Sequence, residues 1–263
     1  MNSVAFTPVT LPSRLVQLGW ESEVRVRGQL ANPERSVAIV GARAATYTAV
    51  GRAHAIAKHL ARHGVHVVSG GAIGVDGAAH RGAIDGGGTT TVVLGTGVDV
   101  LYPARHVSLF HEVLGSGGAL VSMFPDASGP RRHTFTKRNA LIAALADVVL
   151  VIEADLRSGS LSTASAAHRY GRTVAAWPGS EGCDRLLAQG AALVECEGDA
   201  LAAAMGTPRV RPPVPLDPVA TAVRAAIDAG CVTIDDIVRT TGLAVRAVLR
   251  ALPLIEMTSA RKL

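Results

Sequence analysis

Three short stretches of this sequence concentrate residue types that hold anions. The first, Ser69-Gly70-Gly71-Ala72-Ile73-Gly74-Val75-Asp76-Gly77-Ala78-Ala79-His80, follows an apolar run at 65–68 and precedes an Ala-rich, helix-compatible segment reaching about Ile84. A strand, a glycine-rich turn and a helix start make an arrangement in which backbone N–H groups receive an anion. Gly70, Gly71 and Gly74 allow positive φ and close approach of a ligand; a plain βα connection has the same spelling. The second stretch, Arg131-Arg132-His133-Thr134-Phe135-Thr136-Lys137-Arg138-Asn139, gathers four cations, an aromatic and an amide at a predicted helix start. A solvated basic face is the ordinary use of such a run. A phosphate groove with a base-stacking platform uses the same residue types together, and Phe135 is one of only four phenylalanines. In the third stretch, residues 157–164 (RSGSLSTA), Ser158 or Ser160 can cap a helix, and the same hydroxyls, with Gly159, suit a phosphate.

The elements that must position these stretches follow from the apolar pattern. Residues 1–35 form a lead-in with a short helix beginning near 11–15 and an alternating, edge-like strand at 24–28. From Ser36 the pattern becomes repeated strand, turn and helix. Buried strands are predicted at 37–40, 65–68, 89–94, 118–122, 148–152, 173–176 and 191–194, and helices at 48–63, up to about 84, at 136–146 and at 161–170. Such alternation predicts a Rossmann-like, doubly wound parallel sheet over 36–206, with helices on both faces. Ligands of such sheets bind outside the carboxyl ends of the strands. Arg43, the turn at 69–74, the run at 131–139 and residues 158–160 all fall there. The proline-dense stretch 207–218 reads as a semi-rigid linker. Residues 219–263 carry helix-turn-helix spacing, with Arg246 and Arg250 on the second helix of the pair. A short strand-like tail follows, so this segment resembles a small winged-helix domain.

Composition narrows the function. The chain has 263 residues, 48% of them hydrophobic and 3% aromatic, with a formal net charge of +5. That balance suits helix-on-sheet layers and permits a polyanionic partner. No apolar run approaches the roughly 20 residues of a membrane span. The N-terminus has no basic segment followed by an apolar one, so a cytoplasmic protein is expected. Cys183, Cys196 and Cys231 are odd in number and widely spaced, which suggests neither disulfides nor a metal site. There is no P-loop, no G-x-G-x-x-G after the first strand and no G-x-S-x-G. Asp76 and His80, four apart on one helical face, read as a structural polar pair rather than a catalytic one. No cofactor, and no enzymatic activity, is expected.

Together the segments resemble the DNA-processing protein A family (DprA, also called Smf). The resemblance lies in residues 37–43 (VAIVGAR), 69–80 (SGGAIGVDGAAH), 97–103 (GVDVLYP), 135–140 (FTKRNA), 158–164 (SGSLSTA) and Pro178-Gly179, in the family's order, across about residues 11–195. It implies single-stranded DNA binding, protection of incoming strands, their transfer to the recombinase RecA in natural transformation, and a homodimer formed through the Rossmann domain. The implied binding residues are Arg43, the 69–74 turn, Phe135, Lys137, Arg138 and Asn139. Four positions depart from the family pattern: Thr136 for proline, Ala140 for arginine, Met123 for glutamate and His106 for asparagine. The loss at 140 removes a cation that Lys137, Arg131 and Arg132 can replace. The main rival is a nucleotide-processing phosphoribohydrolase on a related Rossmann fold, but its PGGxGTxxE run is missing here. A regulator led by the helix-turn-helix is a further alternative.

Overall fold

A computed structural model describes residues 4–6, 11–210 and 217–259. The strands are β1 (Val4–Phe6), β2 (Val24–Gly28), β3 (Ser36–Val40), β4 (His66–Ser69), β5 (Thr90–Val93), β6 (Ala119–Ser122), β7 (Val148–Val151), β8 (Thr173–Ala176) and β9 (Ala192–Leu193). Between them lie α1 (Ser13–Gln17), α2 (Tyr47–Arg62), α3 (Val75–Asp85), α4 (Val107–Gly115), α5 (Arg132–Ala144), α6 (Ser160–Arg169), α7 (Glu181–Ala188) and α8 (Glu197–Ala204). One compact unit holds the described residues up to Leu187 together with Ala191–Arg209. A second holds Val210 onward together with Ala188–Gly190.

The nine strands form one sheet in the order β1-β2-β6-β5-β4-β3-β7-β8-β9. From β6 to β9 every pairing is parallel. Valine, isoleucine and leucine alternate between the two faces of the central strands. Val37, Ile39, Val148 and Leu150 join α2, α3 and α8 in one core, whereas Val40, Val149 and Val151 join α5 and α6 in the other. A sheet buried on both faces needs apolar residues at every position, which is why these strands read as continuous apolar runs. The chain winds outward from β3 in one direction to β6, then in the other to β9. The order therefore reverses between β3 and β7, where such folds hold their ligands.

In the first unit three features differ from the sequence reading. Residues 24–28 are no edge: β2 runs antiparallel between β1 and β6, its Val24 and Val26 buried and Arg25 and Arg27 on the opposite face. The basic run does not precede a helix at 136 but forms the first turns of α5, which begins at Arg132. The short helices α4, α7 and α8, eight or nine residues each, were not read from the sequence.

The lead-in is fastened by a largely buried ion pair. Arg14 donates to Asp147 from Nε (3.0 Å) and Nη2 (2.6 Å), and to the carbonyls of Pro33 and Glu34. Asp147, just before β7, also accepts the Ser36 N–H at 2.8 Å. Burial alone would raise the Asp147 carboxyl, but the Arg14 and Ser36 hydrogen bonds outweigh it and hold the group below its ordinary value.

In the second unit, α9 (Pro218–Asp228) is capped by Asp217, α10 (Ile234–Thr241) by a Thr233–Asp236 capping box, and Gly242 turns the chain with φ 69°. α11 (Val245–Ser259) completes three helices around Ala220, Val223, Ile237, Val248, Ala251 and Ile255. The strand-like tail is helical as far as it is described, because Val248, Ala251 and Ile255 repeat at helical spacing onto one core. Residues 211–216 of the expected linker, 260–263 of the tail and 1–3 of the N-terminus lie outside the described residues.

Acid sensitivity follows from two buried imidazoles. Desolvation lowers His66 to about 4 and His80 to about 3. Above the unfolded value of about 6.5 both states are neutral. Below it the unfolded chain binds protons that the fold refuses, so stability falls from about pH 6.5 down to about 3. The Asp147 contribution is then lost as pH drops below the ordinary carboxylate value and through the depressed folded one. Urea unfolding at pH 7 and pH 5 should give a lower midpoint at pH 5, and His66→Gln should reduce that difference.

Candidate nucleic-acid interface

The carboxyl ends of β3, β4, β5 and β7 bring the three anion-holding stretches together. On the solvent side stand Arg43, in the loop after β3, and Lys137 on α5, both exposed, with Arg131, Arg132 and His133 beside the start of α5. Phe135 is half-buried. The Arg43 guanidinium carbon lies 5.3 Å from its ring centroid, and the Tyr102 ring packs against it at 5.6 Å with an interplanar angle of 50°. Tyr102 is 42% exposed. The Phe135 ring rests on Gly95, where any Cβ would lie within 2.7 Å of Cε1.

A second layer, beneath, is closed to solvent. Arg138 is 4% exposed, and its Nη1 donates to the carbonyls of Gly70 and Val93, tying α5 to the ends of β4 and β5. Its Nε reaches Asn139 Oδ1 at 3.2 Å. Burial lowers Arg138 to about 10, with the buried Asp76 opposing that shift and Arg43 adding to it. Burial likewise raises the Asp76 carboxyl, against the pull of Arg138. Asp76 turns back to accept the Ala72 N–H at 3.3 Å and faces the Gly70 N–H. The Ala72 N–H of the glycine turn is thus satisfied from inside the protein.

This geometry corrects several roles read from sequence. Arg138 is no solvent-facing phosphate ligand; its donors go to main-chain carbonyls because a desolvated guanidinium must have acceptors. Ser69 is fully buried and gives its hydroxyl to the Ile39 carbonyl at 2.6 Å. Gly70 and Gly71 are buried, and a Cβ on Gly70 would meet the Arg138 guanidinium. Gly74 has φ 84° and passes so near the Ala42 and Arg43 carbonyls that no side chain fits. Asn139 donates to the Gly159 carbonyl (3.1 Å) and Ser162 Oγ (2.6 Å), linking α5 to α6. Ser158 and the buried Ser160 share a 2.8 Å hydrogen bond at the start of α6, and Gly159 is exposed. Asp76 and His80 do not pair: His80 Nδ1 lies 2.9 Å from Thr90 Oγ1, whose hydroxyl proton goes to the Val67 carbonyl. Thr90 therefore accepts, and His80 carries its proton on Nδ1.

The departures at 106 and 140 have local explanations. His106 Nδ1 lies 3.0 Å from the Gly71 carbonyl and braces the turn, while Ala140 packs against the α5–α6 core. Tyr102 was missed as a site residue, although it lies in the quoted 97–103 segment and aromatics are scarce. Among the described residues no cluster of three or more His, Cys, Asp or Glu could hold a metal ion.

A model of the DNA recombination-mediator protein A family matches residues 21–205, and one of the DprA winged helix domain matches 207–258. The chain belongs to the DprA family. It is 41% identical over 238 residues to a putative DNA processing protein DprA of Mycobacterium tuberculosis, covering 85% of this chain and 61% of that one. It therefore spans about three fifths of that relative's length. Among solved structures it resembles DprA of Streptococcus pneumoniae, with TM-score 0.68, 32% identity, and 76% of this chain and 73% of that one covered. It also resembles DprA of Helicobacter pylori, with TM-score 0.71, 26% identity, and 80% and 98% covered. The Helicobacter protein was solved in work on its unique single-stranded DNA binding mode.

Membership leaves the packing at Gly95 as a local constraint with a direct test. Gly95→Ala should push the Phe135 ring off its seat and cost about 1–3 kcal/mol, as overpacking does. Urea unfolding measures it.

Proposed function

We propose that this member of the family binds single-stranded DNA without sequence preference, across the carboxyl ends of β3, β4, β5 and β7. The observation that carries this reading is the exposed Arg43 guanidinium set over Phe135, with Tyr102 against the same ring. A guanidinium and two accessible aromatics offer a charge for phosphate and π-faces for unstacked bases, a combination tolerant of sequence. Arg43 and Lys137 make the phosphate contacts, Phe135 and Tyr102 stack, and the exposed Gly159 with Ser158 lines the far side. Ser69, Gly70, Gly71, Gly74, Arg138, Asn139 and Ser160 shape the floor. Support also comes from the Helicobacter relative, whose described binding mode is for single-stranded DNA.

In the wider setting the chain acts in the cytoplasm as a homodimer without catalytic activity of its own, protects incoming strands and passes them to RecA. These parts rest on the family resemblance. Two grooves on one dimer would make the second contact with a strand intramolecular and raise avidity.

Fluorescence anisotropy with oligo-dT and a matched duplex tests the core of the reading. The single strand should bind more tightly, and its affinity should fall with salt at a log–log slope of about −0.7 per phosphate neutralised. Phe135→Ala should cost about 1–3 kcal/mol of binding. Equal affinity for duplex, or a flat salt response, contradicts it. Light scattering of the free protein, and RecA filament nucleation on strands coated with single-strand-binding protein, test the wider setting. A strict monomer that leaves nucleation unchanged would reduce the chain to a plain strand binder.

A further inference from the structure

Glu153 stands at the carboxyl end of β7, beside the loop that leaves β3, at the point where the strand order reverses. A carboxylate so near a phosphate path opposes the ligand by charge. What it supplies is geometry. Its Oε1 accepts the Thr46 N–H at 3.0 Å and its Oε2 accepts the Thr46 hydroxyl at 2.5 Å. With its proton directed at Glu153, Thr46 Oγ1 presents a lone pair to the Ala49 N–H at 3.2 Å and caps α2. The main-chain carbonyl of the same glutamate accepts the Ala42 N–H at 2.8 Å. One residue thus holds both ends of the span Ala42–Thr46, and Arg43 lies between. On its other side the loop is held by the Val75 N–H, which donates to the Ala42 carbonyl at 3.3 Å.

We propose that Glu153 is the positioning residue that keeps Arg43 over Phe135, an inference that rests on the single-strand-binding reading. A loop already ordered in the free protein loses less conformational freedom when the strand arrives. The clasp and the charge therefore act on affinity with opposite signs. If charge dominated, removing the carboxylate would tighten binding; because the clasp dominates, removing it weakens binding.

The test is anisotropy of fluorescein-labelled oligo-dT against the full chain, with thermal melts by circular dichroism as the folding control. Glu153→Ala should weaken binding roughly tenfold, the scale of a lost hydrogen bond to a charged group. Glu153→Gln keeps an acceptor for the Thr46 N–H and should bind at least as tightly as wild type. In an Arg43→Ala background, Glu153→Ala should add less than about a further twofold, since it acts through that arginine. Thr46→Val removes only the hydroxyl, should weaken binding in the same direction, and carries the test if Glu153→Ala fails to fold. Glu153→Ala binding as tightly as wild type or tighter overturns the proposal, as does an undiminished loss in the Arg43→Ala background. Wild-type protein that does not bind oligo-dT at all overturns the single-strand reading and this inference with it.

Discussion

The candidate interface is built on a buried cation. Arg138 lies under the glycine turn, where a guanidinium has to find acceptors within the protein or forfeit its hydration without return. It finds them in the Gly70 and Val93 carbonyls, and Asp76 supplies the opposing charge. Removing the guanidinium would leave the two buried carbonyls without this donor, at a cost of about 1–3 kcal/mol each. Because those two carbonyls terminate β4 and β5, this one side chain fixes the relative height of two strand ends and of the first turns of α5. Asp76, in turn, occupies an N–H group that a glycine turn would otherwise offer to an anion. The turn resembles a phosphate cradle in sequence, and its own helix supplies a carboxylate to its Ala72 N–H.

What remains for a ligand is the layer above. Phe135 and Arg138 are three residues apart and share a face of α5, with the Arg138 guanidinium 6.0 Å from the ring centroid. The buried arginine therefore supports the aromatic that the exposed Arg43 covers. Lys137, one residue earlier, projects to solvent. Neighbouring cations on one helix thus differ: Arg138 is committed to main-chain carbonyls, and Lys137 stays exposed.

The fold was legible in the sequence because strands buried on both faces must be apolar throughout, and 37–40, 65–68 and 148–152 are. The gathering of the candidate residues was legible too, since Arg43, the glycine turn and the 131–139 run all fall at strand carboxyl ends. The direction of individual side chains was not. A run of Arg and Lys at a helix start looks uniformly solvated, and nothing local marks Arg138 as the one that turns inward; its acceptors lie 68 and 45 residues away. Ser69 hides its role the same way, its acceptor Ile39 being on a neighbouring strand. Glu153 could be given no role of its own from sequence, since its partner Thr46 lies 107 residues away in the chain.

The salt dependence of oligo-dT binding by two arginine variants tests most directly whether the buried and exposed cations have separate tasks. Arg43→Ala should make the log–log slope shallower by about 0.7, one phosphate contact. Arg138→Met, at a temperature where it remains folded, should keep the wild-type slope despite a lower unfolding midpoint. A slope reduced by Arg138→Met as much as by Arg43→Ala, with the fold intact, would mean that the buried guanidinium meets the strand after all.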